Sequence, residues 1–126
     1  MERQGRGEEP LLDEAFQASA ACDWGGEFAG IFREFVEDVR VRWPLLEGHV
    51  RQGEAEAAGR LAHKFGGAAL SFGFRRFALG MKGLQTQARQ RVLPEAGVLA
   101  GWAADFEASV AATLRRWPEA GRGGGA

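Results

Sequence analysis

Apolar residues recur along this chain at intervals of three and four, the spacing of one helix face. Phe28, Phe32, Phe35 and Val39 form such a stripe, continued loosely by Trp43, Leu46 and Val50. Pro44 falls within it and predicts a kink or the start of a new helix. Gln52-Gly53 reads as a turn. A second stripe, Ala58, Leu61, Ala62, Phe65, Ala69 and Phe72, predicts a helix over about 54–72, which Gly73 is placed to end. Phe77, Met81, Leu84 and Ala88 predict another over about 75–91. Pro94 opens a last helix, with Leu99, Ala103, Phe106, Val110 and Trp117 facing inward, and Pro118 stops it. Ahead of these, residues 11–21 suit a short helix with Asp13 in its opening turn, broken by Asp23-Trp24-Gly25-Gly26.

Strand signals are weak: tyrosine is absent, β-branched residues are few and no convincing period-two run occurs. Four amphipathic helices with short connections predict an all-α fold, an antiparallel four-helix bundle with a short N-terminal helix. The bundle spans residues 11–118, between a flexible N-terminus (1–10) and a disordered Gly-rich tail (119–126).

The 126 residues suffice for one core, and 45% hydrophobic with 26% charged residues is ordinary for a globular domain. A net charge of −1 implies no bulk attraction to nucleic acid or anionic membrane. No apolar run is long enough for a transmembrane helix, and the charged N-terminus lacks a signal-peptide core. Cys22, the single cysteine, excludes an internal disulfide, fits a cytoplasmic setting and reads as a small filler. Zinc-ligand spacing, a Walker loop and a dinucleotide fingerprint are all missing, so no metal or cofactor is expected. The core stripes also lack the polar cluster that a small bundle enzyme would need. The apolar residues are consumed by one core, which favours a monomer.

His63 carries the strongest chemical signal. Gly59, Gly66 and Gly67 surround it inside a predicted helix, where each glycine costs about 1 kcal/mol relative to alanine. At about 100° per residue, the apolar stripe faces away from His63, while Gly59 and Gly67 lie one turn before and after it. Leu70 shares the histidine's outward face, with Arg60 and Ser71 at its edge. The imidazole therefore stands cleared on a solvent face that a second macromolecule can approach. It suits either an exposed surface histidine or a nucleophile, because a neutral imidazole keeps a ring-nitrogen lone pair that can attack phosphorus. Arg60 and Lys64 are the nearest cations in sequence, placed to offset phosphoryl charge. His49, near the end of the second helical stretch, reads as a surface or boundary histidine.

Ala62-His63-Lys64-Phe65-Gly66-Gly67-Ala68-Ala69-Leu70-Ser71-Phe72-Gly73 resembles the signature of histidine-containing phosphotransfer (HPt) domains, such as those of chemotaxis-type histidine kinases. Phe35-Val36-Glu37-Asp38 and Gly53-Glu54-Ala55-Glu56-Ala57 resemble two further stretches of the family, and the likeness extends over residues 12–117. The resemblance implies a four-helix bundle without kinase activity of its own. His63 would accept a phosphoryl group from a receiver-domain aspartate, or from a histidine kinase, and pass it to another receiver. Any Mg²⁺ would belong to the receiver. By spacing, Gln85 is similar to the glutamine that hydrogen-bonds near the histidine, and Arg89 to a basic residue one turn on. Lys82 could add charge from one turn earlier. Gly59, Gly66, Gly67, Leu70 and Ser71 would form the docking surface.

Gly66 stands where the family carries a lysine that helps neutralise the phosphoryl group. Two expectations stay open. Either transfer is retained, with Lys64, Arg60 or Lys82 compensating, or the chain is an HPt-like helical adaptor that docks partners without efficient transfer.

Overall fold

The computed structural model describes residues 9–121. Of the flexible N-terminus expected at 1–10 and the Gly-rich tail expected at 119–126, residues 1–8 and 122–126 lie outside the described residues. The rest is all-α. Helix α1 spans Glu14–Trp24, α2 Phe28–Arg51, α3 Ala55–Ser71, α4 Arg75–Arg89 and α5 Ala96–Arg116. No strand occurs among the described residues, and no helix there is long and apolar enough to cross a membrane.

Helix α1 begins three residues later than the 11–21 reading, because Asp13 caps it instead of entering it. Its carboxylate accepts the Phe16 N–H at 3.1 Å. Leu11 and Asp13 instead tether the leader to the α3–α4 connection. Asp13 N–H donates to the Gly73 carbonyl at 2.8 Å, and Arg76 N–H to that of Leu11 at 3.3 Å. Gly25, at φ 55, ends α1 and leads through one 3₁₀ turn into α2.

Helix α2 runs through Pro44 without starting a new element. The proline removes one donor to the Arg40 carbonyl, but it lies on an exposed face where solvent substitutes. Past Trp117, where a tail was expected from residue 119, Pro118–Gly121 form a 3₁₀ turn. It presses Ala120, 1% exposed, into the bundle. Burying that methyl group is what orders the turn.

Helices α2 to α5 pack antiparallel around an aromatic core. Phe32, Phe65, Phe74, Phe77, Met81 and Leu84 are at most 1% exposed. Phe35 stacks on Phe72 with centroids 4.6 Å apart, and Phe106 meets both Phe74 and Phe77 edge-on or tilted. Arg40 on α2 grips both carboxylate oxygens of Glu107 on α5, at 3.0 and 2.6 Å, and this hydrogen bonding lowers the Glu107 pKa.

The inner face of α5 departs from its expected stripe. Ala103 is half-buried, Trp102 takes the inward place, and Asp105, Ser109 and Thr113 are buried beside it. The buried Gln17 of α1 joins this polar seam. Its Nε2 donates to the Phe72 carbonyl at 2.9 Å and to Thr113 Oγ1 at 2.8 Å, while its Oε1 accepts from Arg116 at 2.7 Å. The core thus holds a polar cluster that the apolar stripes did not suggest. Its hydrogen bonds are spent on pinning α1 across the ends of α3 and α5.

Candidate functional site

Helix α3 meets α4 through small residues. Ala58, Ala62 and Ala69 are fully buried, and two glycines bring the backbones closer still. A Cβ on Gly59 would sit 3.2 Å from the Ala88 Cβ, and one on Gly66 would sit 3.2 Å from the Met81 Cβ. This contact sets an antiparallel register in which Gly59 faces Ala88, His63 faces Gln85 and Gly66 faces Met81.

That register corrects one reading and adds to another. Gly59, expected to clear the approach to His63, lines the same groove as the histidine and also serves the α3–α4 contact. Gly66 was placed on the docking surface, yet it is buried beneath α4. A helical wheel shows one helix and not its neighbour, so it could not separate these glycines from Gly67. Gly67 alone among the three opens onto empty space.

His63 is exposed, and its Nδ1 lies 3.3 Å from Gln85 Oε1. The tautomer with Nδ1 protonated donates to that oxygen and leaves its lone pair on Nε2. Leu70 is 60% exposed, and Ser71 is exposed at the last residue of α3.

Beside His63 lies an open groove of about 960 Å³ between the second half of α2, the first half of α3 and the end of α4. Arg60, Lys64, Gln85 and Arg89 line it, but Lys82, Leu70 and Ser71 do not. Arg60 is held by Glu56 at 3.3 Å, whereas Lys64, Lys82 and Arg89 make no ion pair among the described residues. Arg42, Leu45, His49 and Arg91 also line the groove and carried no sequence motif. His49 is fixed by Glu54, with its Nδ1 2.7 Å from Oε1. No cluster of side chains suited to a metal ion occurs among the described residues.

The Gly66 contact yields a direct test. Lysine there would restore the residue type that the HPt signature carries. Its Cβ would press on a Met81 that is itself fully buried. Overpacking of this kind costs about 1–3 kcal/mol, against a gain of about 0.7 kcal/mol in helix propensity. Gly66→Lys should therefore lower unfolding free energy by about 1 kcal/mol net in urea titrations. Unchanged or higher stability would show that α4 can yield.

The fold and the site define a helical bundle that presents one histidine on an exposed helix face, its ring oriented from the adjacent helix. The family model for the Hpt domain matches residues 30–115, and the chain belongs to that family. The match runs from α2 into α5, so α1 lies ahead of it. Hpt domains are histidine phosphotransfer modules of phosphorelays, working with receiver domains and kinases. No match was found among curated proteins or among solved structures.

Proposed function

We propose that this chain is a phosphorelay intermediate in which His63 Nε2 accepts a phosphoryl group from a receiver-domain aspartate, or from a histidine kinase, and passes it to another receiver. One observation carries the reading: His63 is exposed with Nδ1 beside Gln85, and the tautomer that donates to Gln85 leaves Nε2 as the nucleophile. In the forward step the Nε2 lone pair attacks phosphorus. The P–N bond forms as the P–O bond to the aspartate breaks, and the carboxylate leaves with the bonding pair. Nδ1 keeps its proton, so the phosphorylated ring is cationic and continues to donate to Gln85. The reverse sequence on a second receiver discharges it. A cytoplasmic setting and a monomer fit this role.

Charge for the phosphoryl group would come from outside position 66. Lys82 follows Met81, the residue that Gly66 packs against, and lies one turn before Gln85 on α4. Its ammonium has no ion pair among the described residues and can extend over the bare surface at Gly67. Lys64, Arg60 and Arg89 would supply charge from the groove side. Gly67, Leu70 and Ser71 would meet the partner.

The second reading, an Hpt-like adaptor without efficient transfer, is favoured by Gly66 standing in the lysine's place. Incubating the chain with phosphorylated receivers, and with histidine kinases plus ATP, separates the two. Transfer predicts a label on the chain that is lost in acid and stable in base. If every donor leaves the chain unlabelled while receivers still bind it, the adaptor reading replaces the first.

A further inference from the structure

The chain's charge is concentrated beside His63. Net charge over the whole sequence is −1, yet the groove is lined by Arg42, Arg60, Lys64, Arg89 and Arg91 against one carboxylate, Glu56. Arg42 is tied to Asp38 at 2.9 Å and Arg60 to Glu56. Lys64, Arg89 and Arg91 have no ion pair among the described residues. Carboxylates collect elsewhere on α2, where Glu34, Glu37 and Asp38 line a separate shallow depression. The groove also has an apolar wall, and its Leu45 is 57% exposed.

Arg91 is the least expected of these cations. Its φ of 62 makes it the one described residue other than glycine with a positive φ. It ends α4 in the usual glycine stop, with its own N–H on the Ala88 carbonyl and the Val92 N–H on the Gln87 carbonyl, both at 2.9 Å. Glycine would fill this position without backbone strain. The arginine held there has no ion pair among the described residues and lines the groove's edge.

We infer that the groove is the docking site for an acidic segment of the receiver partner, with Arg89 and Arg91 as its recognition residues. The inference rests on the phosphorelay reading. A receiver that donates an aspartyl phosphate presents an anionic centre by its own chemistry, and the groove opens beside the atom that must reach it. The partner would set its phosphoryl group over His63 and lay flanking carboxylates along Arg89 and Arg91. An apolar residue between them would cover Leu45. Unpaired rim charges act mainly on encounter rate and on choice of partner.

The test measures binding of receiver domains to the full chain, and phosphoryl transfer from them, across a salt series. Arg89→Glu combined with Arg91→Glu should weaken binding by about tenfold and flatten its salt dependence. Arg91→Gly should raise the melting temperature while weakening binding, a pairing that a purely structural role cannot give. Arg33→Glu, on the far side of α2, should bind as the wild type does. If wild-type chain binds receivers and the Arg89/Arg91 reversal binds equally well, the groove inference is overturned and the phosphorelay reading stands. If no receiver binds or labels the wild type, the phosphorelay reading fails first and takes the inference with it. Wild-type binding to phosphatidylserine vesicles, lost in the reversal variant and without receiver binding, would assign the groove to lipid and overturn the inference.

Discussion

Glutamine in place of His63 should abolish the acid-labile phosphoryl label while leaving unfolding free energy within about 0.5 kcal/mol of the wild type. The two halves of this expectation come from the same geometry. His63 is exposed, and its one side-chain hydrogen bond among the described residues is the 3.3 Å approach to Gln85 across the α3–α4 surface. Removing it opens no cavity, because the buried face of α3 is made by Ala58, Ala62, Phe65 and Ala69. Glutamine is also at least as good a helix former as histidine. The chemistry has no such redundancy. His49 is the only other histidine, and its Nδ1 is engaged by Glu54, the residue just before α3. Phosphorylation assays on purified His63→Gln, beside urea titrations of the same sample, read both halves. A label of unreduced size would move the acceptor away from His63.

What was legible in the sequence divides along physical lines. The helices were, because each buries one face and an apolar stripe of period 3.6 records that face directly. Phe28, Phe32, Phe35 and Val39 are all buried, as are Phe77, Met81, Leu84 and Ala88. The exposed place of His63 on α3 was legible because the apolar stripe of that helix faces away from it. Gln17, Ser109 and Thr113 were not, because a polar residue on a wheel looks solvated until the fold supplies its partners. The roles of Gly59 and Gly66 were hidden for a related reason. Each depends on which α4 residue lies opposite, and that register is a property of two helices together. Arg91 escaped notice because the glycine stop it imitates is recognised in sequence by its glycine.

Gly73→Ala should lower unfolding free energy by about 3–4 kcal/mol. Gly73 has φ 70, where an alanine pays about 1 kcal/mol for its Cβ alone. The rest is contact. That Cβ would lie 2.9 Å from the Asp13 carbonyl oxygen and 3.0 Å from the Gln17 Cβ. Neither is the free end of a flexible side chain. Asp13 N–H is bonded to the Gly73 carbonyl, and Gln17 is locked by hydrogen bonds to Phe72, Thr113 and Arg116. Relieving the clash means loosening α1 from the bundle and stretching those bonds. Two companion substitutions separate the terms. Gly25→Ala has φ 55 with ψ −130, outside the left-handed helical region, but nothing within 4 Å, so it should cost only the conformational part, about 2 kcal/mol. Gly67→Ala is helical and open, so it should gain about 1 kcal/mol through helix propensity. Urea titrations of the three variants should therefore rank Gly67→Ala above wild type, Gly25→Ala below it and Gly73→Ala far below both. If Gly73→Ala costs no more than Gly25→Ala, the wall formed by Asp13 and Gln17 is soft, and α1 does not brace the turn joining α3 to α4.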